Sequence, residues 1–513
     1  MGLDYAILGL YAISMVAIAL YTRNRSKSVS DFLLAGKKGL NGWMSAFAYG
    51  TTYFSAVIFI GYAGNFGRQY GLASVWIGIG NAIIGSFIAW LLLAKRTKNM
   101  TQRLQAKTMP EFFEKRYDSR LLKIVSAVII FIFLIPYSAS VYNGLSSLFQ
   151  IVFGIPGWIV MIALALITAL YLFFGGYFAT ALSDFIQGII MIIGVVVMVL
   201  CFMNKLNWDI HQLEIDVNKT WFTFNSSNKG IYGSTVSLVS LILLTSLGVY
   251  GLPQTVHKYY AVRDKKSINQ GMIVSTLFAL LIGFSAYFVG SLSNLFSETE
   301  VVNASADNVV SVMLKLVIPT GLIGIIAVLI LSASMSTLSS VSLTSASVVA
   351  IDIYKGKINK QAEDRKVNNL MRVLCLVFIA ISLTLAILNE KFNISAIAYL
   401  MGISWGTLSG CFIGPFVLGL MSKKITKSAV WTSVIGSLVL TVGLLIFFGY
   451  DKAGYSCSFA TALKNGISCS PMIGVICMLF SLIATFVVSL FTKPLKKEII
   501  DEAFVKSIEN EIK

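Results

Sequence analysis

The most informative shortage in this sequence of 513 residues is charge. Only 12% of the residues are Asp, Glu, Lys or Arg, whereas 57% are hydrophobic. A water-soluble globular chain carries about 25% charged residues, so half that share leaves too little polar material to cover a soluble surface. The composition excludes a soluble globular protein and a disordered chain, and it indicates a membrane protein.

Cysteine and histidine are also scarce, with six and two residues. Four of the cysteines lie in apolar runs and only Cys457 and Cys469 share a polar segment, which excludes a disulfide scaffold. His211 and His257 are expected in loops or at the ends of spans, so the sequence offers no imidazole metal site. It shows no Ser/His/Asp arrangement and no phosphate-binding loop either, so we do not expect an enzyme.

Long apolar runs are what the sequence has in abundance. Because a spanning helix needs about 20 apolar residues, we predict an all-α polytopic membrane protein with about thirteen transmembrane helices. The first run has no basic residue before it and a basic cluster after it, which predicts a retained helix with its N-terminus outside. The predicted spans are residues 4–21, 42–66, 72–94, 122–150, 157–175, 180–203, 234–256, 269–292, 319–347, 369–388, 394–421, 428–449 and 471–491.

The 40 basic residues outnumber the 23 acidic ones, and their placement explains the surplus. Cytoplasmic loops of membrane proteins are enriched in Lys and Arg, and about four-fifths of the basic residues fall in segments that this topology places inside. The surplus therefore orients the chain in a lipid bilayer and does not indicate nucleic acid. We expect a multi-pass protein of the plasma or inner membrane with residues 492–513 as a cytoplasmic tail.

Two predicted spans are interrupted by residues that break helices. Hydroxyl residues and a Gly occupy residues 50–55, and two Gly and a Pro occupy residues 246–253. Membrane backbone unwinds only where it lines protein or a watery cavity, and paired breaks in two halves are typical of transporters built from inverted repeats. Close helix packing at Gly is the alternative. We predict a single transporter domain with a five-plus-five inverted repeat, comprising the extra helix 4–21, the repeats 42–203 and 234–421, and two more helices within 428–491.

The ninth span carries a run of Ser and Thr residues. On a helix, Ser336, Thr337 and Ser340 fall on one face, and such oxygens suit a small hard cation. Hydrogen bonds back to the helix, or between spans, are the alternative role of these hydroxyls.

Asp184 is the one carboxylate that lies well inside an apolar run. Its burial costs about 2.5–3.5 kcal/mol, and such residues mark ion or substrate pathways. No run holds a Lys or Arg near its middle that would pair with it, so we predict a mobile cation as its counter-charge. A neutral acid, or one facing cytoplasmic water, is the alternative.

Several segments of the chain resemble the sodium:solute symporters. They follow the order of the family's blocks and are Asp31–Gly39, Phe174–Gly176, Asp184–Gly188, Gly251–Pro253 and Ala333–Ser340. The resemblance covers about residues 5–490. It implies a LeuT-type inverted-repeat fold in which a small solute and sodium are carried together by alternating access.

The resemblance also implies the ligands of the co-transported sodium ions. A site between the second and ninth spans would use the backbone oxygens of Thr51, Phe54 and Ala333 and the hydroxyls of Ser336 and Thr337. Some members have a second sodium site, which here would use Asp184, Ser336, Ser339 and Ser340. Two-sodium coupling is therefore an open possibility.

A solute site is expected where the two breaks face neighbouring spans, with aromatic walls and a few polar groups. The candidates, each of which has core packing as its alternative role, are Tyr53, Ser55, Trp76, Asn81, Tyr137, Ser140, Tyr250 and Trp405. Sialic-acid transporters of the family carry an arginine in the fourth span that residues 135–140 lack, which argues against that solute. Similarity to the proline and pantothenate branches favours an amino acid or carboxylate.

Other solutes and other classes of protein stay open as alternatives. Proline transporters of the family carry an acid where this chain has Tyr53, so a sugar or polyol, and sialic acid as a further case, remain alternative solutes. A cation channel would need a pore lined by rings of carbonyls or charges. A solute sensor would need a signalling domain, for which the tail is short. We expect the transporter to function as a monomer.

Overall fold

The computed structural model describes residues 2–22, 28–34, 39–209, 234–392 and 394–504. Within these ranges the chain forms helices and no strands, and one isolated backbone bridge joins Leu40 to Val262. The predicted all-α class is confirmed. The predictions for the basic cluster at 23–27, for His211 and for the end of the tail after residue 504 lie outside the described residues.

The helices follow one another with short connections. The first half contains α1 (Gly2–Thr22), α2 (Val29–Leu34), α3 (Gly42–Tyr53), α4 (Ala63–Tyr70), α5 (Val75–Gly80), α6 (Lys95–Arg103), α7 (Met109–Tyr117), α8 (Arg120–Phe153) and α9 (Gly157–Lys205). The second half contains α10 (Ser234–Leu247), α11 (Pro253–Tyr260), α12 (Lys265–Ser291), α13 (Thr299–Val302), α14 (Val309–Val317), α15 (Ile323–Ser347), α16 (Asp364–Phe392), α17 (Ile397–Ile413), α18 (Gly419–Met421), α19 (Lys427–Ala453), α20 (Phe459–Ser468), α21 (Ser470–Phe491) and α22 (Lys497–Phe504). Wider π-helical turns connect several of them, at Val57–Tyr62, Asn81–Ile88, Trp90–Ala94, Val348–Ile358 and Gly414–Leu418.

The predicted count of thirteen spans is not confirmed. In the described ranges ten helices are long and apolar enough to cross a membrane, or eleven with the bent pair Thr235–Tyr250 and Pro253–Tyr260 counted as one span. The difference arises from two long helical stretches, Val57–Arg103 with 47 residues and Gly157–Lys205 with 49. A straight helix of that length would measure about 70 Å, more than twice the apolar core of a bilayer. Both stretches instead turn at a glycine with positive φ, Gly71 and Gly176.

Gly176 allows the turn inside α9 because its backbone conformation excludes other residues. Its φ of 59° and ψ of −157° lie in a region that only glycine enters easily. A Cβ atom at this position would also lie 2.6 Å from the ring of Phe32 in α2. The turn therefore depends on this glycine and on the packing of α2.

We predict that Gly176→Ala lowers the free energy of unfolding by roughly 2–4 kcal/mol, from backbone strain and the clash with Phe32. Gly154→Ala is the matched control, since Gly154 also has positive φ but an added Cβ meets nothing within 4 Å. It should cost only about 1 kcal/mol. Apparent melting temperatures of the two purified variants in detergent measure the difference, and equal shifts would show that the clash contributes nothing.

The centre of the molecule is α15, which belongs to the helical stretch Ile323–Ile358. The most apolar part of this stretch is 89% buried. Helix α15 packs against α9, α8, α16, α1 and α3, so its Ser and Thr side chains face other helices on all sides. The N-terminus of α15 is held by Asp4 of α1, whose carboxylate accepts backbone hydrogen bonds from Gly321 and Gly324. This arrangement fixes α15 against α3 and α9, where the predicted site residues lie.

Candidate sodium and solute site

The first predicted break lies at the end of α3. The helix ends at Tyr53, Phe54 is extended with φ −106° and ψ 108°, and a π-helical turn begins at Val57. The carbonyls of the last turn of a helix have no partner within it. The carbonyls of Thr51 and Thr52 therefore point into the protein without an intrahelical partner and need another donor or a cation.

Hydroxyl groups of α15 meet these carbonyls. Ser336 Oγ donates to the carbonyls of Thr51 at 3.0 Å and Ala333 at 3.1 Å, and Thr337 Oγ1 lies 3.4 Å from the carbonyl of Thr52. The structure thus brings together four of the five residues predicted to hold the first sodium ion. The fifth, Phe54, is the residue at the break itself. A cluster of neutral oxygens at a helix break is a suitable site for a small hard cation.

Asp184 has a partner that the sequence analysis missed. Lys258 Nζ lies 3.5 Å from Asp184 Oδ2, and both side chains are buried, with 1% and 0% exposure. The prediction that Asp184 lacks a basic partner was therefore wrong. The predicted end of the seventh span at residue 256 places Lys258 in a cytoplasmic loop. The helix after the second break continues to Tyr260 and carries Lys258 inwards.

Of the other residues of the predicted second site, Ser340 contacts this ion pair. Ser340 Oγ accepts a hydrogen bond from Lys258 Nζ at 2.8 Å and is 2.9 Å from Thr52 Oγ1. Ser339 Oγ donates to the carbonyl of Ser336 at 2.9 Å. His257, also expected in a loop or at a span end, lies in α11 with only 8% exposure. Ser340 and Thr52 therefore connect the ion pair to the predicted first sodium site.

The second predicted break is also observed. A single 3₁₀ turn, Gly248–Tyr250, separates α10 from α11, and the two parts are bent by 41°. Tyr53 joins the two breaks, since its hydroxyl donates to the carbonyl of Thr245 at 2.7 Å. Ser246 Oγ donates to Asn81 Oδ1 at 3.2 Å on the neighbouring helix. Each broken helix is thus held to the other close to its break.

A small cavity lies beside these contacts, and it contains four of the predicted solute residues. Its volume is about 10 Å³, so the site is closed in this conformation. The Trp405 ring stacks on Tyr53 at 6.0 Å and meets the edge of Tyr137 at 5.6 Å. The lining residues are Tyr53, Ser55, Ile58, Tyr62, Asn81, Thr245, Tyr287, Met401 and Trp405.

The other predicted solute residues lie elsewhere. Tyr137 is fully buried behind Trp405, and Ser140 donates back to the carbonyl of Tyr137 within α8. Tyr250 donates to the carbonyl of Ile84 at 2.9 Å, and Trp76 is half-buried on α5 outside the cavity. Tyr62 and Tyr287 were missed. Of the two, only Tyr62 could have been identified from the sequence, because it lies seven residues after the candidate Ser55 in the same predicted span.

Several polar atoms around this cavity are buried without a hydrogen-bond partner. They are the hydroxyls of Tyr62 and Tyr287 and the indole N–H of Trp405. Buried polar groups in proteins are normally hydrogen-bonded, so each of these is available to a bound solute. No charged side chain is found among the described residues that line the cavity.

A wider cavity of about 740 Å³ lies beside the C-terminal part of α8, next to Asn143 and Asp307. Asp307, in the connection before α14, accepts a hydrogen bond from the backbone N–H of Ile397 at 3.1 Å, at the start of α17. Desolvation raises the pKa of the Asp307 carboxyl to about 6, and the bond from Ile397 opposes this shift. Part of this cavity therefore titrates in the mildly acidic range.

Because its folded-state pKa is raised, the ionised form of Asp307 destabilises the fold above about pH 6. That cost is relieved as the pH falls from about 6, the pKa of Asp307 in the folded protein, to near 4, its pKa in the unfolded chain. We expect Asp307→Asn to melt at a higher temperature than the wild type at pH 7.5, with the gap closing between pH 6 and pH 4. Melting curves across this range measure it, and a gap independent of pH would contradict the assignment.

Broken helices, orphan carbonyls facing hydroxyls and a closed polar-aromatic cavity between them are features of a secondary transporter built from broken helices. Comparison with known proteins agrees. The model of the sodium:solute symporter family matches residues 32–436. The chain therefore belongs to the sodium:solute symporter family, and its activity is sodium-coupled symport of a small solute.

Curated relatives cover most of the chain. The sodium/proline symporter of Haemophilus influenzae is 30% identical over 459 residues, covering 86% of this chain and 87% of the relative. The osmoregulated proline transporter of Bacillus subtilis is 27% identical over 449 residues, covering 86% of this chain and 87% of the relative. The sodium/proline symporter of Escherichia coli is 27% identical over 442 residues, covering 84% of this chain and 86% of the relative.

Solved structures show the same fold. A Na⁺-coupled sialic acid symporter in a substrate-bound outward-open state matches with a TM-score of 0.75 at 17% identity, covering 96% of this chain and 99% of that one. A nucleobase-cation-symport-1 family transporter in a closed conformation matches with a TM-score of 0.53 at 11% identity, covering 93% of this chain and 98% of that one. The LeuT-type fold is thereby confirmed.

Proposed function

We propose that one sodium ion binds between the end of α3 and the middle of α15, and that its binding closes the broken helices around a small solute. The carbonyls of Thr51, Phe54 and Ala333 and the hydroxyls of Ser336 and Thr337 are its ligands. The observation that carries this proposal is the contact of Ser336 Oγ with the carbonyls of both Thr51 and Ala333. A sodium ion there would replace hydrogen bonds that hold the two helices together in its absence.

The proposed solute is a small amino acid of about the size of proline. Relatives that share up to 30% identity with this chain are sodium/proline symporters. The cavity offers Trp405 and Tyr53 as apolar walls for a short side chain or ring. Unpartnered donors such as the hydroxyls of Tyr62 and Tyr287 suit a carboxylate.

A neutral sugar or polyol is the second candidate, and one observation favours it. The described lining holds no carboxylate that would pair with an amino group, and the hydroxyl of Tyr53 is already donated to the carbonyl of Thr245. An amino acid would therefore have its ammonium group held by carbonyls and hydroxyls alone. A polyol would need no charged partner at all.

The remaining proposals concern the setting of the transporter. The N-terminus lies outside and the C-terminus in the cytoplasm of the plasma or inner membrane, as the distribution of basic residues predicts. The residues 42–203 and 234–421 form the two inverted repeats. The monomer is the transporting unit, its partners are lipid, sodium and solute, and it neither binds nucleic acid nor catalyses a chemical reaction.

A panel of labelled solutes separates the two candidates. Purified protein in proteoliposomes with an inward sodium gradient is offered L-proline, L-alanine, pantothenate, sialic acid, glucose and myo-inositol, one at a time. We expect uptake of L-proline or another small amino acid to exceed uptake of the sugars at least tenfold. Uptake of a sugar or polyol without any amino acid would overturn the first candidate in favour of the second.

Trp405 is the side chain on which the solute proposal depends most. We expect Trp405→Ala to raise the solute concentration for half-maximal uptake about tenfold or more, since it removes the aromatic wall and its indole donor. The sodium concentration for half-maximal uptake should change much less. Trp158→Ala, in a tryptophan that is 53% exposed at the start of α9, is the matched control. Equal effects of the two substitutions would remove Trp405 from the site.

A further inference from the structure

The buried ion pair of Lys258 and Asp184 supplies no ligand to the proposed sodium site. Besides Asp184 Oδ2 at 3.5 Å, Lys258 Nζ contacts Ser340 Oγ at 2.8 Å and lies 5.1 Å from the centre of the Tyr177 ring. The ammonium group is thus surrounded by a carboxylate, a hydroxyl oxygen and an aromatic face. All three attract a cation.

This position is where the second predicted sodium ion would bind. Asp184 and Ser340, two of its four predicted ligands, contact Lys258 Nζ. Of the other two, Ser336 donates to the carbonyl of Thr51 and Ser339 donates to the carbonyl of Ser336. Each side chain predicted to hold a second ion therefore has a contact with Lys258 or with the backbone around the first site, although Asp184 Oδ1 has no hydrogen-bond partner among the described residues.

We infer that the Lys258 ammonium group is the resident cation of this second site, so that each solute is carried with one sodium ion and not two. The inference rests on the proposed sodium-coupled symport. Asp184 and Lys258 neutralise each other, whereas a second sodium ion would leave an unpaired positive charge among side chains with 0–1% exposure. Repulsion between like charges is weakly screened in such surroundings.

The ion pair also acts on the first sodium site. Lys258 Nζ donates to Ser340 Oγ, and Ser340 Oγ lies 2.9 Å from Oγ1 of Thr52, the residue before the last of α3. The carbonyl of Thr52 is in turn within 3.4 Å of Thr337 Oγ1, a ligand of the first ion. Lys258 is thus a positioning residue for the first site as well as the counter-charge of Asp184.

Equilibrium binding of ²²Na⁺ to the purified full-length protein in detergent tests the inference without any solute. The wild type should bind one ion per protein with a Hill coefficient near one. Lys258→Met should bind two ions per protein at saturation, because Asp184 then needs a new counter-ion. Lys258→Arg is the matched control that keeps the charge and should bind one. Asp184→Asn combined with Lys258→Met should also bind one.

The outcomes separate this inference from the proposed function. A wild type that binds two sodium ions overturns the inference and leaves sodium-coupled symport intact. A wild type without saturable sodium binding contradicts the proposed function itself. A monodisperse Lys258→Met protein that binds a single ion shows that Lys258 does not exclude the second. If Lys258→Met is not monodisperse, the stoichiometries of the wild type and of Lys258→Arg decide.

Discussion

Replacing Ser336 by Ala should raise the sodium concentration that gives half-maximal solute uptake by about tenfold to a hundredfold. Ser336 Oγ lies 3.0 Å from the carbonyl of Thr51 and 3.1 Å from that of Ala333, so it is at the centre of the proposed oxygen cluster. Hydrogen bonds and ligand contacts to a charged group contribute about 1.5–3 kcal/mol, which corresponds to the stated change in affinity. Uptake at a fixed solute concentration over a range of sodium concentrations measures it.

Ser342→Ala is the control for this prediction. Ser342 lies on the same helix with 0% exposure, and its hydroxyl has no hydrogen-bond partner. The substitution therefore removes a buried hydroxyl from α15 without touching the end of α3. If Ser342→Ala shifts the sodium dependence as far as Ser336→Ala does, the effect belongs to the packing of the helix and not to an ion site.

The second large effect is expected on stability. Asp184→Asn removes one partner of a buried ion pair and leaves the Lys258 charge uncompensated, a change that costs about 3–5 kcal/mol in other proteins. Adding Lys258→Met to it should restore most of the loss, because a neutral pair of similar volume leaves no unpaired charge. We expect a strongly lowered apparent melting temperature for the single variant in sodium-free detergent and substantial recovery for the double variant.

An exposed ion pair provides the comparison. Lys355 Nζ lies only 2.7 Å from Asp364 Oδ1, but the two side chains are 35% and 53% exposed. Exposed pairs contribute about 0.2–1 kcal/mol, so Asp364→Asn should change the melting temperature little despite the shorter distance. Equal losses for Asp184→Asn and Asp364→Asn would mean that the charges of Lys258 and Asp184 do not interact in the folded protein.

The sequence predicts those parts of the fold that depend on local composition. Apolar runs of membrane-spanning length identify the spans, and the residues that interrupt a helix mark the breaks after Tyr53 and between Leu247 and Pro253. Both effects arise within one segment of the chain, so no knowledge of packing is needed. The count of spans was harder, since two long helical stretches bend at Gly71 and Gly176 without leaving a polar loop between their halves.

The parts that depend on contacts between distant segments were predicted less well. The pairing of Lys258 with Asp184 joins residues 74 positions apart, and it required α11 to continue past the expected end of its span. Tyr62 and Tyr287 reach the cavity from helices whose apolar faces do not distinguish a lining residue from a core residue. Resemblance to a family supplied the proposed ligands of the first sodium site, but it did not show that Lys258 contacts Asp184 and Ser340 at the predicted second site.

The most direct test of sodium-coupled symport is accumulation against a concentration gradient. Proteoliposomes with the membrane potential held at zero receive a tenfold inward sodium gradient and the solute identified by the panel. We predict accumulation of about tenfold inside, the limit for one sodium ion per solute. The accumulation should be absent when potassium replaces sodium on both sides. Uptake that is equal in potassium and in sodium, or that only equilibrates the solute, would contradict the assignment of this chain as a sodium symporter.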